Sequence, residues 1–327
     1  MASGEDSLIA RYFRPLASDP GAFNLTDDAA VLRARGDDLV VTTDAIVEGV
    51  HFLLDDPPDT IARKALRVNL SDLAAKGATP AGFVMTLALR EVLDAWLEPF
   101  ARGLGEDAKT FGCALLGGDT VSTPGPTMIS ITAFGLTPPG KMIHRDTARP
   151  GDRIVVTGTI GDAALGLDIL RAGAVAAALG NDPAAVAMLI GRYHVPQPRV
   201  GLAPAVREFA SAAMDVSDGL AGDLAKLCAA SGVSAVIDAD SIPLSPAAAA
   251  LLARGTVGIE TIVAGGDDYE ILSTISENRF EAFADAARRA GVPVTSIGTV
   301  MAGAAPPRFL GGQGEEISFS RLSYSHF

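Results

Sequence analysis

The chain has 327 residues, of which 48% are hydrophobic and 20% charged, a balance that describes a globular protein and excludes a disordered one. Its formal net charge of −13 argues against a nucleic-acid backbone or an anionic membrane as the main partner. Phosphorylated small molecules stay admissible, provided a divalent cation stands between the two sets of negative charge.

The opening residues, MASGEDSLIARYF, carry acids early and no apolar segment of the kind that directs secretion. No stretch approaches a membrane span without Gly, Pro or charge. Cys113 and Cys228 sit in apolar contexts without a partner motif, as buried thiols of a cytoplasmic protein do.

Strands and helices alternate along the chain. Leu39–Thr43 reads as a short buried strand that delivers Asp44 at its tip. A helix follows from Asp59 or Thr60 as N-cap to Gly77 as C-cap. AGFVMTLAL is a strand, DAWLEPFARGLGEDAKTFG a helix, and CALLGGD and MISITAFG are strands. The Pro/Gly-rich polar stretch Thr137–Asp152 is the best domain boundary. RIVVTG then reads as a strand and GDAALGLDILRAG as a helix. DPAAVAMLIGRYH and RVGLAPAVREFASAA read as helices around the loop HVPQPR. DGLAGDLAKLCAASG and ENRFEAFADAARRAG are further helices, SAVIDA, YEILSTI and VPVTSIGTV strands, and the tail is irregular. Two mixed α/β halves fit this pattern, residues 1–138 and 149–327.

Acids recur where such strands end. Asp27 and Asp28 precede an apolar run, Asp44 follows Thr42 and Thr43, and Asp119 follows two glycines. Asp215, Ser217 and Asp218 mark a helix start, and Asp267 and Asp268 a turn before a strand. Each alone reads as a cap or turn residue; as a set they gather where α/β ligands gather. Asp72 is the sharpest case. Ile61, Ala65, Val68 and Asp72 follow a 3.6-residue period, with Asn69 adjacent, so a carboxylate shares a largely apolar stripe. That placement is costly unless the group is paired, by a core-edge Arg or Lys, or binds metal. Oxygen-only ligands suit Mg²⁺, Mn²⁺ or Ca²⁺. There is no phosphate-binding GxxxxGK[ST] sequence. VVTGTIGDAALG reads as a mainly structural glycine turn, and Arg145, Arg192 and Arg199 are the candidate cations.

Nine motifs then carry a resemblance from end to end: GEDSLIARYF, DDAAVL, TTDAIVEGVHF, KALRVNLSDLAAKGATP, GGDT, RPGDRIVVTGTIGDAALGL, MDVSDGL, GGDDYEI and YSHF. In that order they resemble the thiamine-monophosphate kinase family, relatives of aminoimidazole ribonucleotide synthetase and selenophosphate synthetase. The resemblance implies ATP-dependent phosphorylation of thiamine monophosphate, assisted by several Mg²⁺ ions. It implies a homodimer built through the sheet of the N-terminal half, with the active site in the cleft between the halves. It implies that Asp28, Thr42, Thr43, Asp44, Asp72, Asp119, Asp215 and Asp218 surround the metals. Gly118, Asp119, Arg145 and Ser217 would contact ATP, and His51, Asp267 and Tyr324 the thiamine substrate. The family usually reads GxGDDAAV, where this chain has Asn24 and Thr26; it usually has Glu where this chain has Asp267. No general base is expected, because the acceptor phosphate, with a second pKa of about 6, is already largely dianionic near neutrality. Selenophosphate synthetase chemistry would want a reactive N-terminal Cys and the hydrogenase-maturation relative a C-terminal one; neither is present. A catalytically silent nucleotide-binding regulator would be marked by loss of several acids, which are here.

Overall fold

The computed structural model describes residues 8–20, 22, 32, 34–180 and 182–323. Asn24, Thr26, Asp28 and Tyr324 lie outside the described residues. The chain is a mixed α/β protein of two units, Met1–Leu73 with Ala78–Lys141 and Ala74–Gly77 with Met142–Phe327.

In the first unit, β1 (Asp38–Val47), α1 (Pro58–Ala75), β2 (Thr79–Leu89), α2 (Asp94–Phe111), β3 (Ala114–Ser122) and β4 (Met128–Thr137) follow one another. The sheet order is β1-β4-β2-β3. β4 runs antiparallel to β1 and β2, while β2 and β3 are parallel. Both helices are thus crossovers between parallel strands, with β4 inserted between the first pair. Helix α1 starts one residue before the expected cap, because Pro58 suits a first helical turn, where its missing N–H costs nothing. It stops as expected at Gly77, whose φ of +69° lets Gly77 N–H reach the Ala74 carbonyl and Ala78 N–H the Leu73 carbonyl.

Strand β1 corrects two expectations. It runs on to Val47, so Asp44 lies within the strand and not at its tip. It is also not buried on both faces. Val40 and Ile46 are buried, but Leu39 and Val41 stay 45% and 55% exposed. The reason is topology: β1 is an edge strand with one face covered, and alternate side chains point away from that cover. Asp119 likewise lies inside β3, three residues before its end.

Between α1 and α2 sits a buried charge cluster. Asp107, 1% exposed, accepts hydrogen bonds from Arg63 Nη1 at 2.7 Å and from Arg67 Nε at 2.5 Å and Nη2 at 2.9 Å. Bidentate guanidinium–carboxylate pairing of this kind fixes two helices in register.

The second unit runs β5 (Arg153–Thr157), α3 (Asp162–Leu170), α4 (Ala174–Leu179), α5 (Pro183–His194), α6 (Ala203–Phe209) and β6 (Ala210–Val216). Next come α7 (Leu220–Ser231), β7 (Ser234–Asp238), α8 (Pro246–Ala253), α9 (Ile259–Val263), β8 (Glu270–Ile275), α10 (Phe280–Arg289), β9 (Val294–Met301), β10 (Arg308–Leu310) and β11 (Glu316–Ile317). They build a seven-stranded sheet, β11-β10-β7-β9-β5-β8-β6. Residues Ala210–Ala213, read from sequence as the end of a helix, instead open strand β6, which pairs with β8. The alanines favour helix intrinsically, but both faces of the strand are packed: Ala212, Met214 and Val216 join one apolar cluster and Ala213 the other. The tail, expected to be irregular, adds β10 and β11 to the sheet edge.

A second charge network lies wholly inside this unit. Glu270, fully buried, accepts from Thr157 Oγ1 at 2.6 Å, Arg192 Nη2 at 2.7 Å, and Arg199 Nε at 2.7 Å and Nη2 at 2.5 Å. Arg192 and Arg199 are therefore held as ion pairs to Glu270 inside this unit. The glycine turn before α3 is occupied too: Gly161 N–H donates to Asp268 Oδ2 at 2.8 Å. Burial pushes the Asp268 carboxyl well above the usual carboxylate range, against the pull of the Gly161 amide and Arg192, and Asp162 and Glu270 add to the rise.

Two outcomes test these clusters. Asp107→Ala strands two guanidiniums and should cost about 3 kcal/mol, read as a lower urea midpoint at unchanged slope. For Asp268, the folded chain holds the proton more tightly than the unfolded one. Its contribution is present in full below the unfolded pKa of about 3.9 and lost as pH rises through the raised folded value. Asp268→Asn should therefore flatten the fall in stability above that pH, measured by urea titration across a pH series.

Candidate active site

The sheet of the first unit aligns several candidate residues. Asp44, Ile131, Met85 and Gly118 form one cross-strand row from β1 to β3, and Asp119 is the next residue, opposite Thr86. Gly118 has to be glycine, because a Cβ there would run into the Met85 carbonyl oxygen. Three strand spacings separate Asp44 from Asp119, about 14 Å. A single ion at about 2.1 Å from each ligand does not span that gap, so the two carboxylates serve different ions if both serve metals.

Helix α1 supplies the second layer. It is buried nearly all round, with Ile61, Ala62, Ala65, Leu66, Val68, Leu70 and Leu73 at most 2% exposed. Asn69, fully buried, donates through Nδ2 to the Ala65 carbonyl at 3.0 Å and accepts the Asp44 N–H through Oδ1 at 3.1 Å. Asp72, one turn on, accepts the Thr42 hydroxyl at 2.5 Å. The adjacent polar pair of the apolar stripe thus docks on β1, and its recorded partner is a hydroxyl rather than a core-edge Arg or Lys. Thr43 points the other way along the strand and hydrogen-bonds the Ile131 carbonyl at 3.2 Å and the Thr132 hydroxyl at 3.0 Å.

His51 lies just beyond β1. Its Nδ1 accepts the Val47 N–H at 3.1 Å, and its carbonyl accepts the ammonium of the buried Lys64 at 2.8 Å. An accepting Nδ1 places the proton of the neutral ring on Nε2, so the ring offers a donor beyond the backbone.

The second unit brings its own candidates together. Asp215 is 7% exposed near the end of β6, which the structure continues into Ser217 and Asp218. The Ser217 and Asp218 amides both donate to Asp223 Oδ2 at 3.0 Å. Lys226 Nζ bridges Asp218 Oδ2 at 2.5 Å and Asp223 Oδ1 at 2.9 Å. Burial raises the Asp223 pKa, while Lys226 draws it back. An ammonium already resting on Asp218 marks this spot as one that favours a cation. Asp267 comes to the same place: its N–H donates to the Ser217 carbonyl at 2.8 Å. Arg145 is exposed in the segment beside β6, where the His144 carbonyl accepts the Ala213 N–H at 3.0 Å and the Arg145 carbonyl accepts the Ser231 hydroxyl at 3.0 Å.

Among the described residues, no three His, Cys, Asp or Glu side chains are grouped closely enough to hold a metal ion. The donor chemistry still fits Mg²⁺. That ion uses one or two carboxylates, keeps several waters and takes its other ligands from substrate phosphates. Asp44 and Asp72, with the Thr42 hydroxyl between strand and helix, match such a set; zinc would want nitrogen or sulfur. Sequence reasoning missed Asn69 as the residue that aims Asp44, and Asp223 and Lys226 as the holders of Ser217 and Asp218. Asn69 carried a signal in its place beside Asp72 on the stripe; Asp223 carried none beyond its position one turn into a helix.

The family models agree with these two units. The AIR synthase related protein N-terminal domain matches residues 26–137 and the C-terminal domain residues 149–306. Thiamine-monophosphate kinase of Caulobacter vibrioides is 46% identical over 324 residues, covering 97% of this chain and 89% of its own. Among solved structures, thiamine-monophosphate kinase from Stenotrophomonas maltophilia K279a superposes with a TM-score of 0.85 at 40% identity, over 97% of this chain and 99% of that one. AaThiL, complexed with AMPPCP and TMP, gives a TM-score of 0.77 at 31% identity, over 92% and 91%. The chain belongs to the thiamine-monophosphate kinase family, phosphotransferases within the AIR synthase related proteins.

Proposed function

We propose that this chain moves the γ-phosphoryl group of ATP in line onto the phosphate of thiamine monophosphate, giving thiamine diphosphate. The observation that carries this reading is the Thr42–Asp72 contact beside Asp44, a rigid all-oxygen ligand set in a chain 31% identical to a protein solved with AMPPCP and TMP. Two polyanions have to meet, so the barrier is electrostatic and the work is positioning. Bound Mg²⁺ supplies charge neutralisation at the phosphate oxygens. Asp44, Asp72 and Thr42 would hold it in the first unit, with Asp28 from outside the described residues; Thr43, whose side chain faces away, would contribute only its backbone carbonyl. Asp119 would serve a separate ion, and Asp215 and Asp218 would be the ligands of the second unit. Gly118, Asp119, Arg145 and Ser217 would bind ATP.

No residue is needed as a general base, since the acceptor is largely dianionic above a second pKa of about 6. His51 fits this: its Nδ1 accepts the Val47 N–H, and the ring would contact substrate rather than act as a base. Asp267 and Tyr324 would face the fixed positive charge of the thiazolium, a carboxylate and an aromatic face being suited to a cation. The protein would act in the cytoplasm as a homodimer. Leu39 and Val41 on β1 and Val121 on β3, all more than 40% exposed and all on one sheet face by register, are the apolar surface proposed for the dimer.

Incubation with ATP, Mg²⁺ and thiamine monophosphate should yield thiamine diphosphate by chromatography; ATP hydrolysis without it would sink the assignment. Asp44→Asn and Asp72→Asn should each lower kcat by about 100-fold or more at unchanged thermal midpoint. Full activity of either variant at low Mg²⁺ contradicts the metal assignment. Tyr324→Ala should raise the KM for thiamine monophosphate more than that for ATP, and equal effects on both count against its role.

A further inference from the structure

The loop that carries Asp267 is held in an unusual backbone conformation. Asp267 and Tyr269, neither of them glycine, have φ of +72° and +51°. L-residues adopt such angles only where their surroundings over-determine them, and such strain concentrates at functional sites. Two backbone bonds tie this loop to the end of β6, Asp267 N–H to Ser217 O and Tyr269 N–H to Val216 O, both at 2.8 Å. Between them, Asp268 is buried and fastened at both ends. Its carboxyl takes the Gly161 N–H, and its carbonyl takes Arg192 Nη2 at 3.3 Å.

Arg192 joins the loop to the Glu270 network. The same Nη2 reaches Glu270 Oε1 at 2.7 Å. Glu270 does not depend on it for neutralisation, because Arg199 already grips both carboxylate oxygens. What Arg192 alone contributes is the bond to the Asp268 carbonyl. Ser217, by contrast, is held through its own amide by Asp223. The ATP-side contact therefore has an anchor of its own in Asp223, while the two loops still share the Asp267–Ser217 backbone bond.

We propose that Arg192 is a positioning residue for the thiamine-monophosphate side of the site: braced on Glu270, it locks the strained 267–269 loop so that Asp267 faces the substrate cation. This rests on the kinase reading above. Arg192 touches no substrate and acts through Asp267.

The test is Arg192→Gln, with Thr157→Val as a control that removes a Glu270 hydrogen bond without touching the loop. Arg192→Gln should raise the KM for thiamine monophosphate about tenfold while that for ATP stays within about twofold. Hydrogen exchange at the Asp267 and Tyr269 amides should quicken by a similar factor, with Ser217 and Asp218 unchanged. Thr157→Val should lower the thermal midpoint without separating the two KM values. Equal changes in both KM values, an unchanged KM for thiamine monophosphate, or unchanged exchange at Asp267 and Tyr269 in Arg192→Gln would each overturn the proposal. No turnover by the wild-type protein would overturn the kinase reading instead, and the exchange measurement, which needs no substrate, still decides the brace.

Discussion

A polar side chain inside an apolar seam has to find a partner, and in the first unit that requirement places the proposed ligand groups. Helix α1 is covered on nearly every side, so Asn69 cannot turn to water and the half-buried Asp72 can do so only in part. They turn to β1, where the Asp44 amide and the Thr42 hydroxyl satisfy them. The bonds that relieve the burial also fix direction. Asp44 is held by its backbone within a ten-residue strand, and Asp72 by a short hydroxyl contact on a helix locked to α2 through Asp107. Rigidity of this kind is what a metal-assisted site requires, since ligand positions tolerate only about 0.5 Å of error.

The second unit solves the same problem with buried charge. Asp223 collects the amides of Ser217 and Asp218, while Arg192, Arg199 and Glu270 back the loop beyond. Loops positioned by a scaffold carry recognition, and here two of them, 216–218 and 266–269, are stitched together by backbone bonds. A chain with a net charge of −13 gathers anionic substrates only if cations intervene. Lys226 already places one positive charge on Asp218 and Asp223.

Much of this could be read before the fold was known, for physical reasons. The 3.6-residue period exposed Asp72 as an acid on an apolar stripe, and Gly77 announced the end of its helix. Aspartates at the ends of apolar runs marked the segments proposed here for the site, although Asp44 and Asp119 lie inside longer strands. Strand length depends on pairing partners, which are distant in sequence. The same limit explains β6: the alanine-rich Ala210–Ala213 looks helical until β8 lies beside it. Arg192 and Arg199 looked like loop cations because their partner, Glu270, is more than seventy positions away. The open face of β1 was hidden for a related reason, as edge and centre strands share one composition. Asp28 and Tyr324, singled out by the family motifs, fall outside the described residues.

The central claim is that oxygen ligands on the α1–β1 seam hold a divalent ion that arrives with the nucleotide. Anomalous diffraction from crystals grown with Mn²⁺ and AMPPCP tests it most directly. The account predicts a manganese peak within about 2.5 Å of Asp44 and Asp72 carboxylate oxygens, absent in Asp72→Asn crystals grown alike. A nucleotide bound with its manganese away from both residues would contradict it.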